Sequence, residues 1–136
     1  MARSLTRRTA LFAALALGFV AGAAFHLAAL ASATPDPTSS PLRHGVFVGI
    51  NLLCAVGLVV RPRGFVALFA LLTLQQLASH GALALRVWRD QHRVDGPSVL
   101  VLLAMPAILA LLIRDRRKAL GENSPGRVDN AQPPSS

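Results

Sequence analysis

Four long stretches of this 136-residue chain carry no charge at all. Between Ala10 and Ala31 there is no Asp, Glu, Lys or Arg, and the same holds from Gly45 to Val60, from Gly64 to Leu85 and from Ser98 to Ile113. Charged residues amount to 15% of the chain, against 53% hydrophobic ones. This balance excludes an ordinary soluble domain, because four uncharged runs leave no amphipathic segment to cover them. Cysteine is nearly absent. Cys54 stands alone inside the second run, so neither an intramolecular disulfide nor a thiolate pair for zinc can form. A Gly-rich phosphate loop, a His-Glu-x-x-His helix and a serine nucleophile elbow are missing too, so no catalytic residue is assigned.

What is present reads as an all-α integral membrane bundle of four transmembrane helices, with spans of about 10–31, 44–60, 64–86 and 98–113. The first run has 22 residues, or about 33 Å of helix, enough to cross a hydrocarbon core of about 30 Å. Thr34, Pro35, Asp36, Pro37, Thr38, Ser39, Ser40 and Pro41 then form a loop of turn residues and helix breakers. The second run has 16 residues and needs its flanks to span, and the Arg61, Pro62, Arg63 sequence ends it. The third, of 22 residues, closes at Arg86 with Trp88 at the depth indoles favour. Pro106 is expected to kink the fourth. Residues 1–118 thus form the membrane domain, and 119–136 read as a disordered cytoplasmic tail.

Arg7 and Arg8 ahead of the first run, with Ala31, Ser32 and Ala33 after it, also resemble a signal peptide. Secretory apolar regions run ~7–15 residues, and this one is longer, so the reading adopted is a retained span. In span number and size the chain resembles small four-span membrane proteins such as the DoxX-like group, a likeness of architecture that carries no motif.

The net charge of +8 would suggest nucleic acid in a soluble protein. Here the basic residues sit at the ends of apolar runs, so they mark topology and lipid headgroups, and no nucleic-acid partner is expected. With the amino terminus inside, Arg3, Arg7, Arg8, Arg61, Arg63, Arg114, Arg116, Arg117, Lys118 and Arg127 share its side, against Arg43, Arg86, Arg89 and Arg93 opposite. The excess predicts a multi-pass cell-membrane protein with both termini cytoplasmic.

The polar residues within the runs are the candidate site. Counted from the inner edge of each run, His26, His44 and His80 each lie 16 residues up, about 24 Å, which predicts a common outer layer. Gln76 and His80 are four apart on one helical stripe, and His44 and Asn51 are seven apart on another. Asn51, Gln75 and Gln76 fall near mid-membrane, where amides serve as interhelical hydrogen-bonding groups. Gly18, Gly22 and His26, spaced by four, predict a small-residue packing face on the first helix. Ligand binding through His26, His44, His80, Gln76 and Asn51, or assembly with a larger membrane complex through that layer, is the leading expectation, with His26 and His80 as metal ligands. The cofactors considered are haem, held between two imidazoles, and copper or zinc. The alternatives are a quinone-linked redox accessory subunit and a purely structural bundle; partners are the bilayer and either further copies or a larger membrane complex.

Overall fold

A computed structural model describes residues 2–31 and 40–122. Among them there are four helices and no strand: α1 (Ala2–Ala31), α2 (Pro41–Val60), α3 (Phe65–Gln91) and α4 (Gly96–Glu122). All four are long and apolar enough to cross a membrane. Side chains such as Leu17 (68% exposed), Phe25 (69%) and Leu103 (69%) stand outward, the reverse of a water-soluble surface. The chain is therefore an all-α protein of four membrane-length helices with exposed leucines and phenylalanines.

The helices overrun the apolar stretches that announce them. α2 starts at Pro41, three residues before His44, because Ser40 caps it: its hydroxyl accepts from the Arg43 amide at 3.3 Å and Pro41 takes the first turn. α4 holds Pro106 in its interior and continues through Glu122, so residues 119–122, assigned to the tail on composition, are helical. Arg, Lys, Ala and Leu are good helix formers, and the fourth helix does not stop where hydrocarbon does. The Pro- and Ser-rich connection at 32–39, with Ser32 and Ala33 of the signal-peptide reading, and the tail from 123 lie outside the described residues.

The chain divides into two compact units, Met1–Phe69 and Ala70–Ser136. In the first, α1 and α2 form an antiparallel pair: His26 meets His44, Gly22 meets Asn51, and Arg61 lies 5.1 Å over the Phe12 ring. Both helices present a seam with alternating steps of four and three, through Phe12, Ala16, Phe19, Ala23 and His26 on α1 and Phe47, Asn51, Cys54 and Leu58 on α2, with Arg61 just past its end. That spacing keeps one stripe facing a partner along a gently supercoiled pair. Gly57 is where the chain needs glycine. The Phe65 ring lies so close over it that a Cβ would overlap the ring, and Phe65 is itself 4% exposed. Phe69 is fully buried beside it, edge-on to Phe19 at 6.0 Å. Arg61 closes α2 in the left-handed conformation (φ 53°), its amide donating to the Gly57 carbonyl at 2.8 Å.

In the second unit the buried positions of α4 are Ser98, Met105, Ile108 and Leu112, and those of α3 include Thr73 and Gln76. α3 is closed by the residue after it, His92, also left-handed (φ 50°), whose amide donates to the Trp88 carbonyl at 3.0 Å. His92 is exposed, in keeping with a loop position.

These contacts predict that Gly57→Ala lowers the stability of the detergent-purified protein by ~1–3 kcal/mol, because the Phe65 ring must leave a filled site. Gly22→Val should cost a comparable amount by displacing Asn51, and Gly18→Val should cost little. Thermal unfolding followed by circular dichroism orders the three.

A candidate imidazole site

α1 brings His26, and α2 brings His44, to the end of the hairpin away from the chain's amino terminus. The two Nδ1 atoms lie 3.0 Å apart, so one imidazole donates to the other. Phe47, one turn along α2 from His44, stacks on His26 with ring centres 5.0 Å apart and planes 16° from parallel. Phe25 meets the same ring edge-on at 5.5 Å, and the Arg43 guanidinium stands 5.8 Å over Phe47. Both imidazoles are half-buried. A rigid aromatic wall on one side and a partly open edge on the other orient this pair.

Asn51 supports it from below. Its amide nitrogen donates to the Phe47 carbonyl at 2.8 Å, the residue one turn back. Its oxygen would stand 2.7 Å from any Cβ at position 22, so Gly22 is what lets the amide lie against α1. Gly18 is exposed, with nothing within 4 Å of where its Cβ would be. Residues spaced by four advance about 40° per step around a helix, which takes Gly18 off the face that Gly22 and His26 share.

His80 belongs to the second unit and has a different set of partners. Its Nδ1 lies 3.0 Å from the Ser98 hydroxyl, which in turn donates to the Asp95 carboxylate. A serine has one hydroxyl proton. Since Asp95 takes it, Ser98 accepts from His80, which puts an imidazole proton on Nδ1. The order of groups differs from that of an acyl-transfer triad, where imidazole stands between carboxylate and hydroxyl. Here the hydroxyl stands between, and Ser98 is fully buried. The chain His80–Ser98–Asp95 fastens the carboxyl-terminal half of α3 to the first turn of α4. Gln76 is 8% exposed, whereas Gln75 next to it is exposed.

The sequence reading had no role for Asp95, Ser98 or Phe47. A signal for the first two existed: Asp95 and Ser98 flank the α4 start at the spacing at which a cap residue and the third helical residue meet. Among the described residues no three His, Cys, Asp or Glu side chains gather into a metal-binding group.

No family model, curated protein or solved structure matches this chain. The four apolar helices define it as a small multi-pass membrane protein.

Ser98→Ala should destabilise the protein by ~1–3 kcal/mol, because it leaves His80 and Asp95 without their shared partner. Ser98→Thr, which keeps the hydroxyl, should recover part of that loss in the same melting experiment.

Proposed function

We propose that this protein is a non-enzymatic multi-pass membrane protein whose α1–α2 hairpin binds one borderline transition-metal ion, copper or zinc, between His26 and His44. The observation that carries the reading is the 3.0 Å separation of the two Nδ1 atoms. Two metal–nitrogen bonds of about 2.0 Å at a tetrahedral angle place their nitrogens about 3.3 Å apart, so the rings need to open by only a few tenths of an ångström. Neutral imidazole suits both metals. Two protein ligands leave coordination positions at the partly open edge for a water molecule or for a donor from another molecule.

Haem is less well supported at this pair. Axial imidazoles must lie about 4 Å apart across a porphyrin plane at bonds of ~2 Å, and Phe47 already occupies one face of His26. The quinone reading relied on His80 and Gln76; the first is engaged by Ser98 and the second is buried.

The orientation belongs to the same proposal. The basic residues favour both termini in the cytoplasm, which puts His26 and His44 near the outer surface of the cell membrane, where an ion reaches them from outside. Impermeant thiol labelling of Leu42→Cys in intact cells, in a Cys54→Ala background, should succeed in this orientation and fail in the reverse one.

Detergent-purified protein titrated with zinc or with copper(I) should take up one equivalent, measured by calorimetry and by elemental analysis after desalting. His26→Ala and His44→Ala should each lower the affinity at least tenfold, and His80→Ala should leave it unchanged. If the pair serves only to hold the helices together, the first two variants lose thermal stability and the wild-type protein retains no ion.

A further inference from the structure

The end of the hairpin that holds the two imidazoles carries positive charge and none of the opposite sign. Neither α1 nor α2 contains an Asp or a Glu. Arg43, next to His44 in the chain, stands 5.8 Å over the Phe47 ring that stacks on His26, near enough for its charge to act on that imidazole. Among the described residues no carboxylate pairs with His26, His44 or Arg43. The helix ends do not make up the deficit, because the amino terminus of α2 and the carboxyl terminus of α1 lie at this same end and their opposite partial charges cancel. A divalent ion between His26 and His44 would therefore have two neutral ligands, a guanidinium nearby and no counter-charge. Its half-buried setting makes like charges repel more strongly than they do in water.

We infer that the ion in this site is bound together with an oxyanion from outside the chain, a carboxylate or a phosphate, which takes one of the coordination positions the imidazoles leave open and pairs with Arg43. The inference rests on the reading of His26 and His44 as ligands of a divalent ion, and it adds which co-ligand that ion requires. Charge decides the class: a water molecule or another neutral donor leaves the deficit in place, and an anion removes it. Oxygen suits zinc, whose bonds to carboxylate run about 2.0–2.2 Å. The guanidinium narrows the class further, since its planar fork matches the paired oxygens of a carboxylate or phosphate, whereas a halide offers a single point of charge. Arg43 is exposed, and among the described residues its guanidinium is held by the Phe47 ring alone, so it is at liberty to turn to an anion. A monovalent copper(I) ion leaves a smaller deficit and needs the co-ligand less, so the pairing favours zinc. The coupling is reciprocal: whatever factor the oxyanion adds to the affinity for zinc, zinc adds to the affinity for the oxyanion.

The test is zinc titration of the whole protein in a maltoside detergent at fixed pH and ionic strength, with methanesulfonate, a poor ligand, replaced stepwise by acetate and free zinc corrected for the acetate it binds. One equivalent should bind in both salts, and acetate should raise the affinity by about 5- to 150-fold, the usual span of coupling between two ligands. Arg43→Gln should move the two limits in opposite directions. Zinc should bind more tightly in methanesulfonate, since a repelling charge is gone, and the gain from acetate should shrink by about 2- to 10-fold. Weaker binding of this variant in both salts alike would overturn the part given to Arg43. Mixed micelles holding phosphatidylglycerol identify the source: the same gain in methanesulfonate assigns the oxyanion to a lipid headgroup, and a gain with acetate alone assigns it to a soluble carboxylate. Equal zinc affinity in both salts would overturn the inference and leave the ion site standing, since a carboxylate of the chain, such as Asp36 outside the described residues, or a metal-bound hydroxide would then already supply the charge. No uptake in either salt would remove the ion and its co-ligand together.

Discussion

A peptide group in hydrocarbon must find its hydrogen bond within the protein, and everything else in this molecule follows from that requirement. Helices satisfy it segment by segment, which is why four stretches with little in common beyond the lack of charge adopt the same backbone. The requirement applies equally to side chains. The hydroxyl of Ser98 is shared between His80 and Asp95, the imidazoles of His26 and His44 bind each other, and the Asn51 amide turns back to the Phe47 carbonyl. Polar groups in a bilayer interior are few, and these are arranged in local sets.

With apolar surfaces equally content against lipid or protein, close approach must come from shape. Gly22 and Gly57 illustrate this in opposite ways. At Gly22 the missing methyl makes room for a polar side chain, and at Gly57 it makes room for an aromatic ring. Both contacts depend on the absence of a single carbon, and both lie on the α1–α2 unit, whose stepped seams run from Phe12 to His26 and from Phe47 to Leu58.

The number and identity of the helices were legible in the charge-free runs, since lipid solvation translates composition almost directly into secondary structure. Their ends were less so. Ser40 and Pro41 carry a capping signal that starts α2 early, and the basic residues after Ile113 continue a helix that composition alone would stop. Side-chain partners were the least legible. Counting residues predicts a shared depth for the histidines, but which of them meet depends on helical phase and on how each hairpin closes. That is why His26 pairs with His44 while His80 joins Ser98. Gly18 shows the same difficulty, since a spacing of four looks like one face over two turns and drifts off it over three.

The boundary at Phe69 has a bearing on how the protein is made. Every contact described for the α1–α2 unit is present once the first 69 residues have emerged, and the contact between Phe65 and Gly57 joins segments only eight positions apart. Synthesis at ~5–20 residues per second leaves several seconds before the last helix is released. The amino-terminal hairpin can therefore close in the bilayer while the rest of the chain is still on the ribosome, and α4 is released only after that unit is complete.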